Sequence, residues 1–241
     1  MGKHGQYRAL VGALCCAVAG DPAAACRLAL LLAMDVSSSV DPVEDRLQRS
    51  GLAAALLAPD VIAAFLDPPE PVALALFEWS GREDQVVLLP WTLISDEDAL
   101  RAAADTIARS PRSRNDMPTA VGYALGFAAA MLEQMPQCLF HTVDVAGDGV
   151  NNEGFGPAEA YDAFAFDQVV VNGLLVDTGA YGDSSELVDF YRDQLRHGPA
   201  SFVEVAQGFD DYERAMRRKL LRELQAQVIG VAERTGAAGP G

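Results

Sequence analysis

The chain has 241 residues, of which 50% are hydrophobic, which is enough for one sizeable core and favours one domain over two. Asp and Glu total 34 against 18 Lys and Arg, so the net charge is −16. A surface this acidic repels nucleic acid and anionic lipid and argues against both as partners.

The first 25 residues have the composition of an export signal. A basic start leads into the apolar stretch Ala9–Gly20, and Ala23-Ala24-Ala25 supplies a small-x-small cleavage pattern. We predict cleavage after Ala25 and export to the periplasm or the medium. We expect no membrane span after cleavage, because the apolar run is short for a bilayer. The alternatives are an uncleaved anchor and a lipoprotein in which Cys26 carries the lipid.

The first predicted strand, Leu28–Met34, is continuously apolar, which is typical of a strand covered on both faces of a parallel sheet. It leads into the polar loop Asp35-Val36-Ser37-Ser38-Ser39, and strand tips in open parallel sheets are where ligands bind. Asp41 is a good N-cap and Pro42 suits the first helical position, so we predict a helix to about Leu57.

Helical periodicity and apolar runs predict the remaining elements. These are a short helix Pro59–Leu66, an antiparallel pair of strands Val72–Phe77 and Gln85–Trp91, a helix Asp96–Arg109 capped by Ser95, a helix opened by Pro118, the strand Leu139–Ala146, a helix Pro157–Phe164, the strand Val169–Val176, a helix Ser184–Arg196, the strand Ser201–Ala206 and a final helix from Phe209. Strands that alternate with helices predict an α/β fold, with a doubly wound, mostly parallel sheet and one antiparallel edge strand. The domain should span residues 26–234, and 235–241 should form a disordered tail.

Several oxygen-bearing side chains stand at predicted strand tips or helix starts: Asp35, Ser37, Ser39, Thr119 and Asp148. Alternate residues of an extended loop face the same way, so the first three can converge. We expect Thr119 in the first turn of its helix. Hard oxygen donors select Mg²⁺, Mn²⁺ or Ca²⁺ over zinc or copper. Two carboxylates and three hydroxyls leave such an ion under-neutralised, with room for a carboxylate from another molecule.

These motifs resemble the von Willebrand factor A-like (vWA) family. Its metal-ion-dependent adhesion site (MIDAS) combines Asp-x-Ser-x-Ser, a Thr that opens Thr-x-x-Gly-x-Ala-Leu, and an Asp-Gly after the fourth strand. The matching segments here are 35–39, 119–125 and 148–149. Within the family, the chain looks closest to an uncharacterised bacterial group called DUF1194, on stretches such as Phe77-Glu78-Trp79-Ser80-Gly81 and the segment 151–157.

The resemblance implies a vWA/Rossmann-like fold and a metal site with two kinds of ligand. Ser37, Ser39 and Thr119 would contact the ion directly, and Asp35 and Asp148 would often act through water. The chain departs from the family pattern just before the threonine. Many members have glycines there, whereas this chain has Asn115-Asp116-Met117-Pro118, in which Pro118 stiffens the loop.

The four cysteines fall into two groups. Cys15 and Cys16 lie in the signal and should leave with it. Cys26 and Cys138 each precede a predicted strand, and a disulfide is within reach if those strands are parallel neighbours. Two buried free thiols are the alternative. The vWA resemblance implies that the first and fourth strands are adjacent, as the pairing requires.

Three further polar features lie near these elements. Asp144 falls inside a strand, where we expect a buried acid that is hydrogen-bonded to the backbone. Asp177 ends its strand at the same sheet edge and is a candidate for lining the metal site. The arginines of the loop 110–116 are expected to be solvated.

The sequence therefore predicts an exported, non-enzymatic binding domain that docks an acidic group of a protein partner on Mg²⁺, or on Mn²⁺ or Ca²⁺. One alternative is a metal-assisted hydrolase that uses the same ion. Against it, the sequence shows no obvious general base and no second metal cluster. The other alternative is a structural domain in which the metal motif is vestigial.

Overall fold

The computed structural model describes residues 26–135, 137–179 and 185–236, with side chains up to residue 225 in the last helix. The predicted leader, 1–25, lies outside the described residues. The strands are β1 (Cys26–Asp35), β2 (Val72–Trp79), β3 (Gln85–Ile94), β4 (Cys138–Gly147), β5 (Val169–Val176) and β6 (Val203–Ala206). They form one sheet in the order β3-β2-β1-β4-β5-β6, and only β2 and β3 pair antiparallel. The predicted α/β fold is confirmed.

Helices cover both faces of this sheet. They are α1 (Pro42–Leu56), α2 (Pro59–Leu66), α3 (Glu97–Arg109), α4 (Val121–Leu132), α5 (Pro157–Ala163), α6 (Ser185–Asp189) and α7 (Tyr212–Gly236). One apolar core lies between the sheet and α1, α2, α3 and α7, and the other lies under α4, α5 and α6. Within the described residues no single helix is long and apolar enough to cross a bilayer, although α1 and α2, bent by 60°, pass that test as a pair.

Strand β1 is the centre of the sheet and contributes to both cores. The even-numbered residues from Leu28 to Met34 pack in the first core, and Ala29, Leu31 and Ala33 pack in the second. Successive side chains of a strand point to opposite faces, so a strand covered on both sides must be apolar at every position. All ten residues of β1 are accordingly buried, and β1 holds its polar end, Asp35, at a fixed place.

A disulfide joins the starts of β1 and β4. Cys26 and Cys138 are register partners in the parallel pair, with their Cα atoms 4.6 Å apart. The bond spans a sequence separation of 112 residues, for which the chain-entropy model gives a stabilisation of about 4–5 kcal/mol. A sulfur used in this bond is not available for lipidation, so the lipoprotein alternative does not fit this pairing.

Two helix starts differ from their predictions. Ser95 does not cap α3. Asp96 does so, because its carboxylate accepts a hydrogen bond from the Ala99 N–H at 2.8 Å. The predicted cap at Asp41 is confirmed, and Glu44 completes a capping box there. Ser and Asp are both good N-caps, so adjacent candidates cannot be ranked from sequence alone.

The segment after β5 is less regular than the single helix predicted for it. After α6 the chain widens into a π-helical turn, Phe190–Leu195, that buries Phe190, Tyr191 and Leu195 together. Tyr191 packs so closely on Gly173 that a Cβ there would lie 2.7 Å from its ring. Strand β6 begins at Val203 rather than at position 201, and α7 follows a 3-10 turn, Phe209–Asp211, in place of a helix from Phe209. Helix α7 continues to residue 236, two residues into the predicted tail, and 237–241 lie outside the described residues.

Candidate metal centre

The loop after β1 folds three of the predicted ligands into one turn. Asp35 and Ser37 are buried and Ser39 is exposed. Oδ1 of Asp35 accepts a hydrogen bond from the Ser37 N–H at 2.7 Å, and the hydroxyl oxygens of Ser37 and Ser39 lie 3.2 Å apart. The three residues therefore lie close together, but in a turn closed by the Val40 N–H on the Ser37 carbonyl at 3.1 Å rather than in the extended loop predicted.

Strand β4 delivers the second carboxylate beside this turn. Because β1 and β4 are parallel neighbours, their carboxyl ends meet at one edge of the sheet. The Ser39 hydroxyl donates to Oδ1 of Asp148 at 2.6 Å. Asp35, Ser37, Ser39 and Asp148 thus form one continuous chain of contacts between two strand ends.

Thr119 lies beside this series of contacts. It comes before α4, rather than in the first turn of that helix as predicted. The side chain of Asn152 accepts from the Thr119 N–H at 2.8 Å, and that of Asn151 accepts from the Val121 N–H at 2.8 Å. Asn151 thus satisfies the first N–H of α4, which begins at Val121, and Asn152 holds the loop just before it. Met117 O accepts from the Ser38 N–H at 2.8 Å, which ties the threonine loop to the serine loop.

The Thr119 hydroxyl makes its own contact with that asparagine. Its nearest described partner is the Asn152 amide, at 3.5 Å. Among the described residues, no hydrogen bond joins it to the two serines or the two aspartates of the other strands. We refer to Asp35, Ser37, Ser39, Thr119 and Asp148 together as the Asp35 cluster.

The two buried carboxylates of the Asp35 cluster both have raised pKa values. Burial, and then the neighbouring charge of Asp148, raise the pKa of Asp35 to about 7. Burial also raises the pKa of Asp148. Among the described residues, none donates a hydrogen bond to the buried Oδ2 of Asp35. Such an oxygen is costly to bury unless a cation or a donor meets it.

The donor set fits a hard divalent cation. Two carboxylates and neighbouring hydroxyls are oxygen ligands. Among the described residues, the Oδ2 atom of Asp35 has no hydrogen-bond partner that a metal ion would have to displace. No group of three or more His, Cys, Asp or Glu side chains suited to a metal occurs in the described part of the chain. The Asp35 cluster does not belong to that class, because hydroxyls make up most of its donors.

Two side chains that were not singled out as site residues hold this loop. Arg112 was expected to be solvated. Instead it is half-buried and donates to the backbone carbonyls of Val40, Val36 and Ser37 at 2.7, 2.8 and 3.1 Å. Gln48, on α1, donates to the Asp35 carbonyl at 2.8 Å. Both act on backbone oxygens of distant segments, so no local sequence signal identifies them.

Two other acids have partners that the sequence did not indicate: Asp144, for which a backbone partner was predicted, and Asp177, a candidate for lining the metal site. Asp144 is buried, but its partner is Lys219 of α7 rather than the backbone, at 2.7 Å from Nζ to Oδ1. Among the described residues Asp144 Oδ1 has no hydrogen-bond partner, so the contact is an ion pair. Asp177 accepts from the Gly179 N–H at 3.0 Å, which closes its own turn.

Residues 25–228 match the family model described as a protein of unknown function, DUF1194. The chain belongs to the DUF1194 family. No curated protein matches this DUF1194 chain.

Its solved structural neighbours are vWA domains or contain them. Proximal thread matrix protein 1 of the mussel byssus aligns with a TM-score of 0.60 at 13% identity, covering 82% of this chain and 48% of that one. The same protein with a zinc-occupied MIDAS motif aligns with a TM-score of 0.58 at 17% identity, covering 83% of this chain and 46% of that one. A von Willebrand factor type A structure from Catenulispora acidiphila aligns at 0.57 and 13% identity, covering 83% and 43%.

A further neighbour is the pilus adhesin SpaC from Lactobacillus rhamnosus GG, with a TM-score of 0.58, 14% identity and coverage of 83% and 30%. The DUF1194 chain therefore spans about half the length of these structures or less. At such identities the likeness shows the vWA fold, and the metal and the partners belong to those proteins.

Proposed function

We propose that this protein is an exported, non-enzymatic binding domain that holds a divalent cation at the Asp35 cluster and docks an acidic group of a protein partner on it. One observation carries the proposal. Two buried carboxylates, Asp35 and Asp148, are linked at the carboxyl edge of the sheet through the Ser37 N–H and the hydroxyls of Ser37 and Ser39, and one of their oxygens has no partner among the described residues.

The residues of the cluster divide the work of holding the ion. By the MIDAS pattern, Ser37, Ser39 and Thr119 supply direct oxygen ligands, and Asp35 and Asp148 act through water. Neutral hydroxyl ligands do not offset the positive charge of the ion, which favours a carboxylate from another molecule as a further ligand. Mg²⁺ is our first choice of ion, with Mn²⁺ and Ca²⁺ as alternatives.

Two features support export. The basic and apolar composition of 1–25 is that of a leader, and disulfides such as Cys26–Cys138 persist in oxidising compartments. A byssus matrix protein and a pilus adhesin among the structural neighbours agree with a role outside the cytoplasm.

Calorimetric titration of the exported protein with Mg²⁺, Mn²⁺ and Ca²⁺ tests the metal. We expect binding in the wild type and its loss in Asp35→Ala and Ser39→Ala. At an ion concentration 100 times Kd, the free energy of unfolding should rise by about 2.7 kcal/mol. Asp144→Asn is the matched control, because it removes a buried acid from β4 whose cation is Lys219, and it should bind the ion normally.

Equal affinity in Asp35→Ala and the wild type would overturn the metal proposal. The docking step is tested by recovering partners from the exported fraction with and without chelator. We expect a partner that the wild type retains only with the ion present and that Asp35→Ala never retains. A partner retained equally in chelator would contradict docking through the metal.

A further inference from the structure

Strand β6 forms one margin of the sheet, and no other described strand pairs with the outer side of its backbone. It pairs with β5 alone, from Val203 beside Gly173 to Ala206 beside Val176. Phe202 O and Ala206 O accept hydrogen bonds from the β5 side. Residues of a strand alternate in direction, so the N–H and C=O groups of Val203 and Val205 face away from β5. Of these, the Val205 carbonyl already accepts a long hydrogen bond from Arg218 Nη2 at 3.4 Å, which an added strand would displace. An open edge of this kind is a template for another extended segment.

A groove runs along this edge. Its deeper part has a volume of about 210 Å³. Apolar and cationic side chains from β6, the π-helical turn and α7 share its lining; they include Phe202, Val203, Val205, Arg192, Arg196 and Arg222. A shallower hollow of about 510 Å³ continues it past Arg192, Arg196 and His197, with Asp193 as its one acidic lining residue. We call the two parts together the arginine groove.

The charge of the arginine groove is opposite to that of the chain as a whole. The sequence carries 34 acidic against 18 basic residues, yet three arginines gather here. Arg196 donates to the backbone carbonyls of Arg192 and Ser201, and Arg222 lies 3.8 Å from the centre of the Phe202 ring. Neither makes an ion pair with a described residue. Arg192 is 3.8 Å from Asp189, and both are exposed, so this pair is worth little.

We propose that the arginine groove binds an acidic peptide segment in an extended conformation, as an added strand beside β6. The peptide backbone would bond to Val203 and Val205, and its carboxylates would meet Arg192, Arg196 and Arg222. Arginine presents several donors in a fixed plane that suits carboxylates, and strand addition leaves alternate side chains free to reach them. The groove lies beside β6, whereas the Asp35 cluster joins the ends of β1 and β4, so this binding needs no metal.

The probe is a capped peptide of alternating Glu and Val, of roughly ten residues so that it spans a strand of typical length. Its binding is followed by fluorescence anisotropy in EDTA, with the full chain carrying Asp35→Ala. In these conditions the proposed metal site does not bind an ion. If the peptide fails to bind, that result therefore says nothing against the proposed metal function. We expect binding of this peptide and none of its Lys-for-Glu counterpart.

Variants separate the groove from general charge. Arg196→Glu with Arg222→Glu should weaken binding by about tenfold or more. The matched control is Arg101→Glu with Arg109→Glu, which changes two exposed arginines of α3 and should leave affinity unchanged. If the groove variant fails to fold, the peptide supplies the test instead. N-methylation of alternate residues keeps its charge but removes strand pairing, and should also cost about tenfold.

Three results of the peptide measurements would overturn the proposal. These are equal binding of the Glu and Lys peptides, equal loss in the groove and α3 variants, and unchanged binding of the N-methylated peptide. Binding to vesicles of anionic phospholipid without binding to the peptide would also overturn it, because the groove would then be a lipid site.

Discussion

Asp35 and Asp144 are buried aspartates on adjacent strands, and burial raises the pKa of each to about 7. Their surroundings differ. Asp144 belongs to what we call the Lys219 cluster (Asp144, Asn172, Lys219 and Glu223), where Lys219 Nζ lies 2.7 Å from Asp144 and 2.6 Å from Glu223. In the Asp35 cluster the carboxylates contact hydroxyls and a backbone amide, and no described cationic side chain contacts them.

The comparison teaches how this fold treats buried negative charge. The Lys219 cluster is buried between the sheet and α7, and its cation is the ammonium group of a side chain of the protein itself. The Asp35 cluster ends at the exposed Ser39, where solution ions can arrive. Arg112 is nearby but is committed to backbone carbonyls. Internal neutralisation serves stability, whereas a deficit at the sheet edge is suited to an exchangeable cation.

The largest effect is expected from removing the internal cation. Lys219→Met leaves Asp144 and Glu223 buried without it, so the free energy of unfolding should fall by about 3–5 kcal/mol. Urea unfolding at pH 8 measures this. Arg218→Met, at the preceding residue, removes a half-exposed pair with Glu204 and should cost no more than about 1 kcal/mol. Equal costs for the two variants would break the comparison.

The second effect is a pH dependence. The pKa of Asp144 rises from 3.8 to about 7 on folding because of burial. Between these values the folded state binds more protons than the unfolded state. The unfolding free energy should therefore fall as pH rises through this window, by about 1.4 kcal/mol per pH unit for one proton, and level off above pH 7.

Asp144→Asn should remove that contribution, because it leaves Lys219 paired with Glu223 alone. Urea unfolding in EDTA from pH 4.5 to 8 should give a flatter curve for the variant, and greater stability than the wild type at the alkaline end. Asp35 is unchanged in both proteins, so it cancels in the difference. Parallel curves for the wild type and the variant would mean that burial does not raise the pKa of Asp144 as it raises that of Asp35.

The two clusters also differ in how far the sequence predicts them. The apolar run of β1 and the alternating hydroxyls after it are local patterns, so Asp35, Ser37 and Ser39 were placed together from sequence. The role of Lys219 depends on the face that α7 turns to β4, which no local pattern specifies. A lysine on an amphipathic helix is usually solvated, and only tertiary packing shows that this one is fully buried.

Thr119 shows the same limit at a smaller scale. Pro118 is a good signal for a helix start, but α4 begins at Val121, whose N–H is accepted by the side chain of Asn151, thirty residues later in the chain. Asn152 accepts in the same way from Thr119, in the loop before the helix. Satisfied donors decide where a helix begins. The sequence therefore predicted the residue types of the Asp35 cluster but not the cap that positions Thr119.

The smallest effect concerns the space beside Asp35. Gly147 ends β4, and a Cβ there would lie 2.7 Å from Asp35 Oδ2 and 2.8 Å from the Tyr191 hydroxyl oxygen. Gly147→Ala must move one of these groups, so we expect a loss of about 1–3 kcal/mol in the free energy of unfolding. If Asp35 moves, Mg²⁺ affinity should fall by about tenfold, which is what a change of about 1.4 kcal/mol produces.

Gly156→Ala is the matched control, since the nearest atom to its added Cβ is Glu159 Oε2 at 3.4 Å, an ordinary contact. It should leave Mg²⁺ affinity unchanged in the same calorimetric titration. Wild-type affinity and stability in Gly147→Ala would mean that the Asp35 carboxylate tolerates displacement. The Asp35 carboxylate would then be held less rigidly than that of Asp144, which has an ion-pair partner. The absence of a Cβ at position 147 would have no effect on metal binding.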